Sequence, residues 1–275
     1  MAVPDDARCN GSIDNWLFLM QRYGGCSLMN PFSKATLDLP KLATVWREDW
    51  FNQDPRRNPL FYKVVVPSPL DTSPESLVAV LILGDGNGSR VCICQPPVAT
   101  DMSRGGSMEP CRYLHDVIFF NGKLYGIAFC DKLLMFEIGY DLGNKPKISS
   151  TECIINSMDA YLRDLAHSLS REKADLSTNP GQWRRVNKLG GQALFVGRHF
   201  SKSFSVEEYD GIQEDCIYFM CDYPWPDYAG DPLCDSDVYN MRNGMITPLL
   251  SENAPVLHYN GGQWRPTWIF PADPI

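Results

Sequence analysis

The sequence predicts an all-β chain of short antiparallel strands, and three features carry that prediction. Five Asn-Gly dipeptides, at 10–11, 87–88, 121–122, 243–244 and 260–261, punctuate the chain, several of them between short apolar runs. Asn-Gly suits a type I′ hairpin turn because both central residues need positive φ, which Gly adopts freely and Asn tolerates. The apolar runs at 77–83, 117–120, 124–129 and 133–138 do not alternate with polar residues, as expected of strands covered on both faces. Helical periodicity is confined to one segment, 156–173. There Met158, Tyr161, Leu162, Leu165 and Leu169 recur at helical spacing, with Asn156 as N-cap and Asp159 in the first turn.

These patterns separate two all-β architectures. A sandwich with a solvated outer face shows period-two patterning, whereas a propeller blade lies between two neighbours and is apolar on both sides. The predicted fold is therefore a β-propeller of antiparallel blades. At about 40–50 residues per blade the chain holds about six. One blade is read as incomplete, and a short helix is expected near 157–170. The domain is placed at 16–275, behind a tail at 1–15.

Taken in order, 16–20 and 26–30 form strands around a Gly24-Gly25 turn, and 35–39 alternates until Pro40 stops it, giving a three-strand meander. Residues 47–58 are charged and Pro-interrupted and read as a connector to a strand at 60–66. Residues 77–83 and 91–95 flank the Gly-rich stretch 84–89 as a hairpin, and 96–110 reads as a surface loop. The clearest unit is 115–138, two strands around Asn121-Gly122 and a third after Lys132. A polar, turn-rich stretch follows at 139–147. Beyond Pro180-Gly181, strands are expected at 183–187, 193–196, 203–206, 216–221, 238–241 and 245–249, with a last hairpin from 256 through Trp264 to Pro271.

Composition limits the functional classes. With 44% hydrophobic residues in 275, the chain can bury a substantial core as one domain. A net charge of −8 opposes nucleic-acid binding, which rests on clustered Lys and Arg, and equally opposes anionic membrane surfaces. The longest apolar run, 77–83, falls far short of the roughly 20 residues that span a bilayer. Residues 1–10 carry neither a signal-peptide core nor an Arg-rich transit pattern. The expected location is cytoplasmic and/or nuclear. The ten cysteines are dispersed without a Cys-x-x-Cys, and Cys92, Cys94, Cys130, Cys216 and Cys221 lie in or beside apolar runs. They read as reduced, buried, small hydrophobes.

No motif demands chemistry. Gly84-x-Gly86-x-Gly88 follows a strand, but the segment after it ends in two prolines and opens no helix to hold a pyrophosphate, so it reads as a hairpin turn. His115, His167, His199 and His258 make no short ligand spacing with one another or with Cys. A Gly-x-Ser-x-Gly elbow is absent, and His115-Asp116 alone makes no triad. No catalytic residue, metal or cofactor is assigned. Trp16, Trp183, Trp264 and Trp268 read as packing between blades. The segment 221–238 stands out: Asp222, Asp227, Asp231, Asp235 and Asp237 surround Tyr223, Trp225 and Tyr228 among three prolines. Exposed aromatics on a Pro-stiffened loop anchor protein partners, and carboxylates select a basic patch. Tyr223, Trp225, Asp227, Tyr228 and Asp231 are the candidate binding residues, weighed against a plain solvated acidic loop whose aromatics fold back onto the sheet.

Several segments carry a resemblance: Trp16-Leu-Phe-Leu with Asn30-Pro-Phe-Ser33, Asp116-Val-Ile-Phe-Phe-Asn-Gly-Lys-Leu-Tyr-Gly126, Leu189-Gly-Gly-Gln-Ala-Leu-Phe-Val-Gly197, Ser201-Lys-Ser-Phe-Ser205, Cys216-Ile-Tyr-Phe219 and Pro266-Thr-Trp-Ile-Phe-Pro271. Together they resemble the plant F-box-associated, KIB-type β-propeller family, a kelch-like domain of unknown function, over about 16–271. The resemblance implies a propeller that presents substrates behind an N-terminal F-box, which grips the Skp1-type adaptor of a ubiquitin ligase. Two departures are visible. The 15 residues before Trp16 are too few for the F-box and the usual opening strands, so a Skp1-type adaptor is not an expected partner. At 160–183 the usual strand hairpin is replaced by the helix-like pattern. An unclosed ring would expose an apolar face, so the chain closes with fewer blades, self-associates or is marginally stable. The expected function is a non-enzymatic protein-interaction propeller with an unidentified protein partner, either a working decoy or a decayed copy. A small-molecule or catalytic propeller is the alternative, because fold alone does not settle function.

Overall fold

A computed structural model describes residues 7–21, 25–39, 61–67, 77–83, 89–95, 103–104, 114–128, 131–156, 172–197, 201–207, 209–220, 236–249 and 268. Among them every element is a β-strand, arranged in five sheets. Sheet 1 is a meander of β1 (Arg8–Ile13), β2 (Trp16–Met20), β3 (Cys26–Met29) and β4 (Thr36–Leu39). Sheet 2 repeats the plan with β5 (Phe61–Val65), β6 (Val78–Leu83), β7 (Ser89–Cys94) and β8 (Ser103–Arg104). Sheet 3 repeats it again with β9 (Leu114–Phe120), β10 (Lys123–Ala128), β11 (Lys132–Tyr140) and β12 (Pro146–Ile155). Sheet 4 is the pair β13 (Glu172–Asp175) and β14 (Gln182–Arg185). Sheet 5 comprises β15 (Gln192–Val196), β16 (Ser201–Ser205), β17 (Cys216–Phe219), β18 (Asp237–Asn240) and β19 (Ile246–Pro248), ordered β16-β15-β17-β18-β19.

Burial explains the missing alternation. Successive strand residues point to opposite faces, and in sheet 2 both faces meet a neighbour. Val64, Val66, Val78, Val80 and Cys92 pack with Ile13, Phe18, Leu28 and Leu37 of sheet 1. Their chain neighbours Val65, Ala79, Leu81, Val91 and Ile93 pack with Leu114, Val117, Leu124, Leu134 and Phe136 of sheet 3. Gly126 leaves room for Leu114 and Phe136 on that face of sheet 3, since a Cβ there would meet their side-chain carbons at 2.8 Å. The opposite face of sheet 3 sends Tyr125, Leu133, Met135 and Ile155 against Ala174 and Trp183 of sheet 4. Trp183 also donates its indole N–H to the Asp131 carbonyl at 2.7 Å. Trp16 and Trp183 thus pack between sheets, as the sequence predicts.

The first strands of sheets 1, 2 and 3 lie beside one another, β1 against β5 and β5 against β9. Lys63 on β5, almost fully buried, pairs with Asp116 on β9 at 2.5 Å. The backbone N–H of Leu114 donates to Ser89 Oγ at 2.6 Å, joining sheet 3 to sheet 2 a second time. Sheet 5 touches sheet 1: Lys202 pairs with Asp14, and Ser12 Oγ donates to the carbonyl of Trp268.

Several readings change. Residues 8–13, read as part of a tail, form β1, paired to β2 through a bulge at Cys9/Gly11. Gly11 has φ 146°, so Asn10-Gly11 sits inside a strand rather than at a turn. Asn121 and Gly122, with φ 47° and 72°, make the predicted two-residue hairpin between β9 and β10. At Asn243-Gly244 the turn is longer: Asn240 Oδ1 accepts from the N–H groups of Arg242 and Asn243, and Gly244 N donates to the Asn240 carbonyl. Asn30 builds the same turn between β3 and β4, its Oδ1 accepting from Phe32 and Ser33. β8 lies within the predicted loop 96–110, and β12 and β13 lie where no strand is expected. The blades are not wholly antiparallel, because β15 and β17 pair in parallel. The predicted helix at 157–170, the connector at 47–58 and the hairpin at 256–264 lie outside the described residues.

Candidate functional site

The candidate loop is the connection between β17 and β18, where Phe219 pairs with Asp237. Tyr223, Trp225, Asp227, Tyr228 and Asp231 themselves lie outside the described residues. The two flanks are held firmly. Met220 N donates to the Val196 carbonyl at 3.3 Å, and Leu249 N donates to the Ser236 carbonyl at 3.0 Å. Both bonds tie the loop's ends to neighbouring strands of sheet 5.

Below those ends lies an aromatic floor. Phe195 stacks on Tyr218 with centroids 4.6 Å apart, and meets Phe204 edge-on at 5.7 Å and Trp268 at 5.0 Å. Aromatic pairs at these separations and angles add attraction beyond area burial. Trp268 donates its indole N–H to the Val196 carbonyl at 3.1 Å, and Tyr209 packs edge-on against Phe204. Lys202 sits 5.0 Å above the Phe204 ring while pairing with Asp14 of the β1–β2 turn. The platform carrying the loop is thereby continuous with sheet 1.

The opposite end of sheet 5 holds a second polar constellation. Asp215, only 1% exposed, accepts from Arg242 Nε at 2.6 Å, Leu189 N at 2.5 Å and Gly190 N at 3.1 Å. Arg242 also pairs with Glu214 at 2.7 Å. The Arg242 hydrogen bond, helped by the Leu189 and Gly190 amides, holds the Asp215 carboxyl below the usual carboxylate range. Every donor is a structural group from a turn or strand end, so the carboxylate ties 188–191 to 240–244. Sequence reasoning missed this residue, since Glu-Asp in a polar stretch carries no signal. Burial raises the neighbouring Cys216 thiol, with the Asp215 charge adding to it, so Cys216 is held as a thiol and not as a nucleophile.

The remaining candidates divide cleanly. Leu83 pairs with Ser89 across β6 and β7, so 84–88 connects an antiparallel hairpin and opens no helix. His115 lies exposed on β9, while His167, His199 and His258 are outside the described residues. Cys26, Cys92 and Cys216 are buried, Cys9 is half-buried and Cys153 is exposed. The side chains of Cys94, Cys130 and Cys221 are outside the described residues, as is Trp264. Among the described residues no three His, Cys, Asp or Glu side chains are grouped to hold a metal ion.

Sheets stacked face to face, first strands together, define a β-propeller-type chain with a loop-bearing sheet at its end. The KIB1-4 beta-propeller family model matches residues 1–245, and the chain belongs to that family. A curated relative, the F-box protein KIB4 of Arabidopsis thaliana, is 23% identical over 267 residues, covering 86% of this chain and 65% of that protein. The chain therefore spans somewhat less than two thirds of that relative's length. No solved structure matches it.

Proposed function

We propose that this chain is a non-enzymatic protein-interaction module whose loop 221–235 engages a protein partner through Tyr223, Trp225 and Tyr228. Asp227 and Asp231 select a basic surface on that partner. The observation that carries the reading is the mounting of the loop: its flanks are bonded into sheet 5 above the Phe195, Tyr218 and Trp268 cluster. Aromatic side chains on a fixed base form good anchors, because little ordering entropy is lost on binding. Family membership supports an interaction role, as does the name of the curated relative, an F-box protein.

The resemblance implies that the adaptor of a ubiquitin ligase is gripped by an F-box and the target by the propeller, and the described residues form the sheets of the propeller. In this reading the propeller serves the target side, and a Skp1-type adaptor is not an expected partner of it. The test is affinity capture from plant extract followed by mass spectrometry, comparing the native chain with Trp225→Ala/Tyr228→Ala. Loss of an aromatic anchor costs about 2 kcal/mol or more of binding, so the partner should disappear from the variant's capture. An identical capture by both chains, or direct recovery of a Skp1-type adaptor alone, contradicts the reading.

A further inference from the structure

Sheet 1 presents two unlike faces. Residues directly opposite one another on paired strands share a face, and successive residues alternate between faces. Ile13, Phe18, Leu28 and Leu37 face sheet 2, with Trp16 packed beside them. The other face is mixed, because it takes Cys9 opposite Leu19, Ser12 opposite Leu17, and Ser27 and Met29 opposite Leu19 and Leu17. It is the face turned to sheet 5, since Ser12 Oγ donates to the carbonyl of Trp268, whose ring packs on Phe195. Sheets 1 and 2, sheets 2 and 3, and sheets 3 and 4 each share an apolar cluster. Among the described residues the joint of sheets 1 and 5 has none, because the cluster of sheet 5 draws only on that sheet and the segments beside it. The contacts seen at this joint are polar: Lys202 pairs with Asp14 in the β1–β2 turn, and Ser12 meets Trp268.

An ion pair that water still reaches holds two surfaces less firmly than apolar burial does. Asp14 and Lys202 keep 19% and 31% of their side chains exposed, although the Phe204 ring steadies Lys202 from within sheet 5. We propose that the joint of sheets 1 and 5 is a latch that opens as a unit, with Lys202–Asp14 and Ser12–Trp268 as its two catches, while the apolar joints on either side of sheet 2 stay closed. The latch reaches the base of loop 221–235. The Val196 carbonyl accepts from Trp268 Nε1 at 3.1 Å and from Met220 N at 3.3 Å, so Trp268 belongs both to the latch and to the mounting of the loop's first flank. An effect of the open state on binding rests on the function proposed above, whereas the opening is a property of the joint alone.

Cys9 reports the opening, because its place opposite Leu19 puts it on the face turned to sheet 5. It is half-buried, and burial raises its thiol, so it reacts slowly while the latch is closed. Cys26 and Cys92 lie in the joint of sheets 1 and 2 and serve as controls. The native full chain, Lys202→Met and Ser12→Ala are labelled with N-ethylmaleimide, and each cysteine is followed by peptide mass spectrometry. Lys202→Met should speed labelling of Cys9 by about tenfold, as expected when a charged hydrogen bond is lost from the closed state alone, and leave Cys26 and Cys92 at their native rates. Ser12→Ala strands no charge and should speed Cys9 in the same selective way. Unchanged labelling of Cys9 in either variant, or equal acceleration at Cys26 and Cys92, would overturn the proposal. No partner takes part in the measurement, so the latch and the binding role of loop 221–235 stand or fall separately.

Discussion

Asp215 and Lys63 are charged groups that the fold has taken out of water, and each makes its neighbours answer for it. The native pKa of Asp215 lies below the ordinary carboxylate value of about 3.9, chiefly because Arg242 donates to it. Its contribution to stability is therefore complete above that ordinary value and disappears as the pH falls through the depressed native one. Asp215→Asn should lower Tm at neutral pH and flatten the decline of Tm with acidification. An acid limb unchanged in the variant would contradict this. Lys63 is different, because its partner Asp116 is 43% exposed while Lys63 itself is 6% exposed. Removing Asp116 strands the buried Lys63 charge, whereas removing both leaves none. Asp116→Asn should consequently destabilise the chain more than Lys63→Met/Asp116→Asn together, as read by urea unfolding. Neither pair is legible in the sequence: Arg242 lies 27 positions from Asp215, and Lys63 has a β-strand's ordinary apolar neighbours.

At the level of strands, the central ones announce themselves and the outer ones do not. β6 reads as an apolar run because Val78 and Val80 meet sheet 1 while Ala79 and Leu81 meet sheet 3. β12 carries Lys-Ile-Ser-Ser-Thr-Glu-Cys on the outer edge of sheet 3, so burial leaves little mark on it, and the sequence shows only a polar stretch. β13 and β1 were hidden for the same reason, being short, edge-positioned and polar. A direct consequence attaches to β6. Val80 faces sheet 1 and Leu81 faces sheet 3, and both are fully buried. Val80→Asp and Leu81→Asp should each abolish cooperative unfolding, as measured by circular dichroism on heating, because either one buries an unpaired charge. Tolerance of one of the two would mean that a face of β6 is solvated.

Across the whole molecule, the stacking of sheets was legible but its joints were not. The apolar run of β6 foretold a sheet packed on both sides, whereas the runs at 117–120 and 124–129 leave Ile118, Phe120 and Ile127 exposed; the parallel pairing of β15 with β17 and the contacts of Lys202 and Trp268 with sheet 1 arise between segments far apart in sequence. Such pairings leave no local pattern to read. The net charge of −8 and the carboxylates of 222–237 favour a basic partner. Association should therefore slow as salt rises, since electrostatic steering is screened. Amide hydrogen exchange of the chain, alone and with its captured partner, tests the binding reading most directly. New protection at 221–235 and its flanks at Met220 and Ser236, with sheets 2 and 3 unchanged, is the predicted result. Protection confined to other sheets, with 221–235 exchanging as fast as in the free chain, would contradict it.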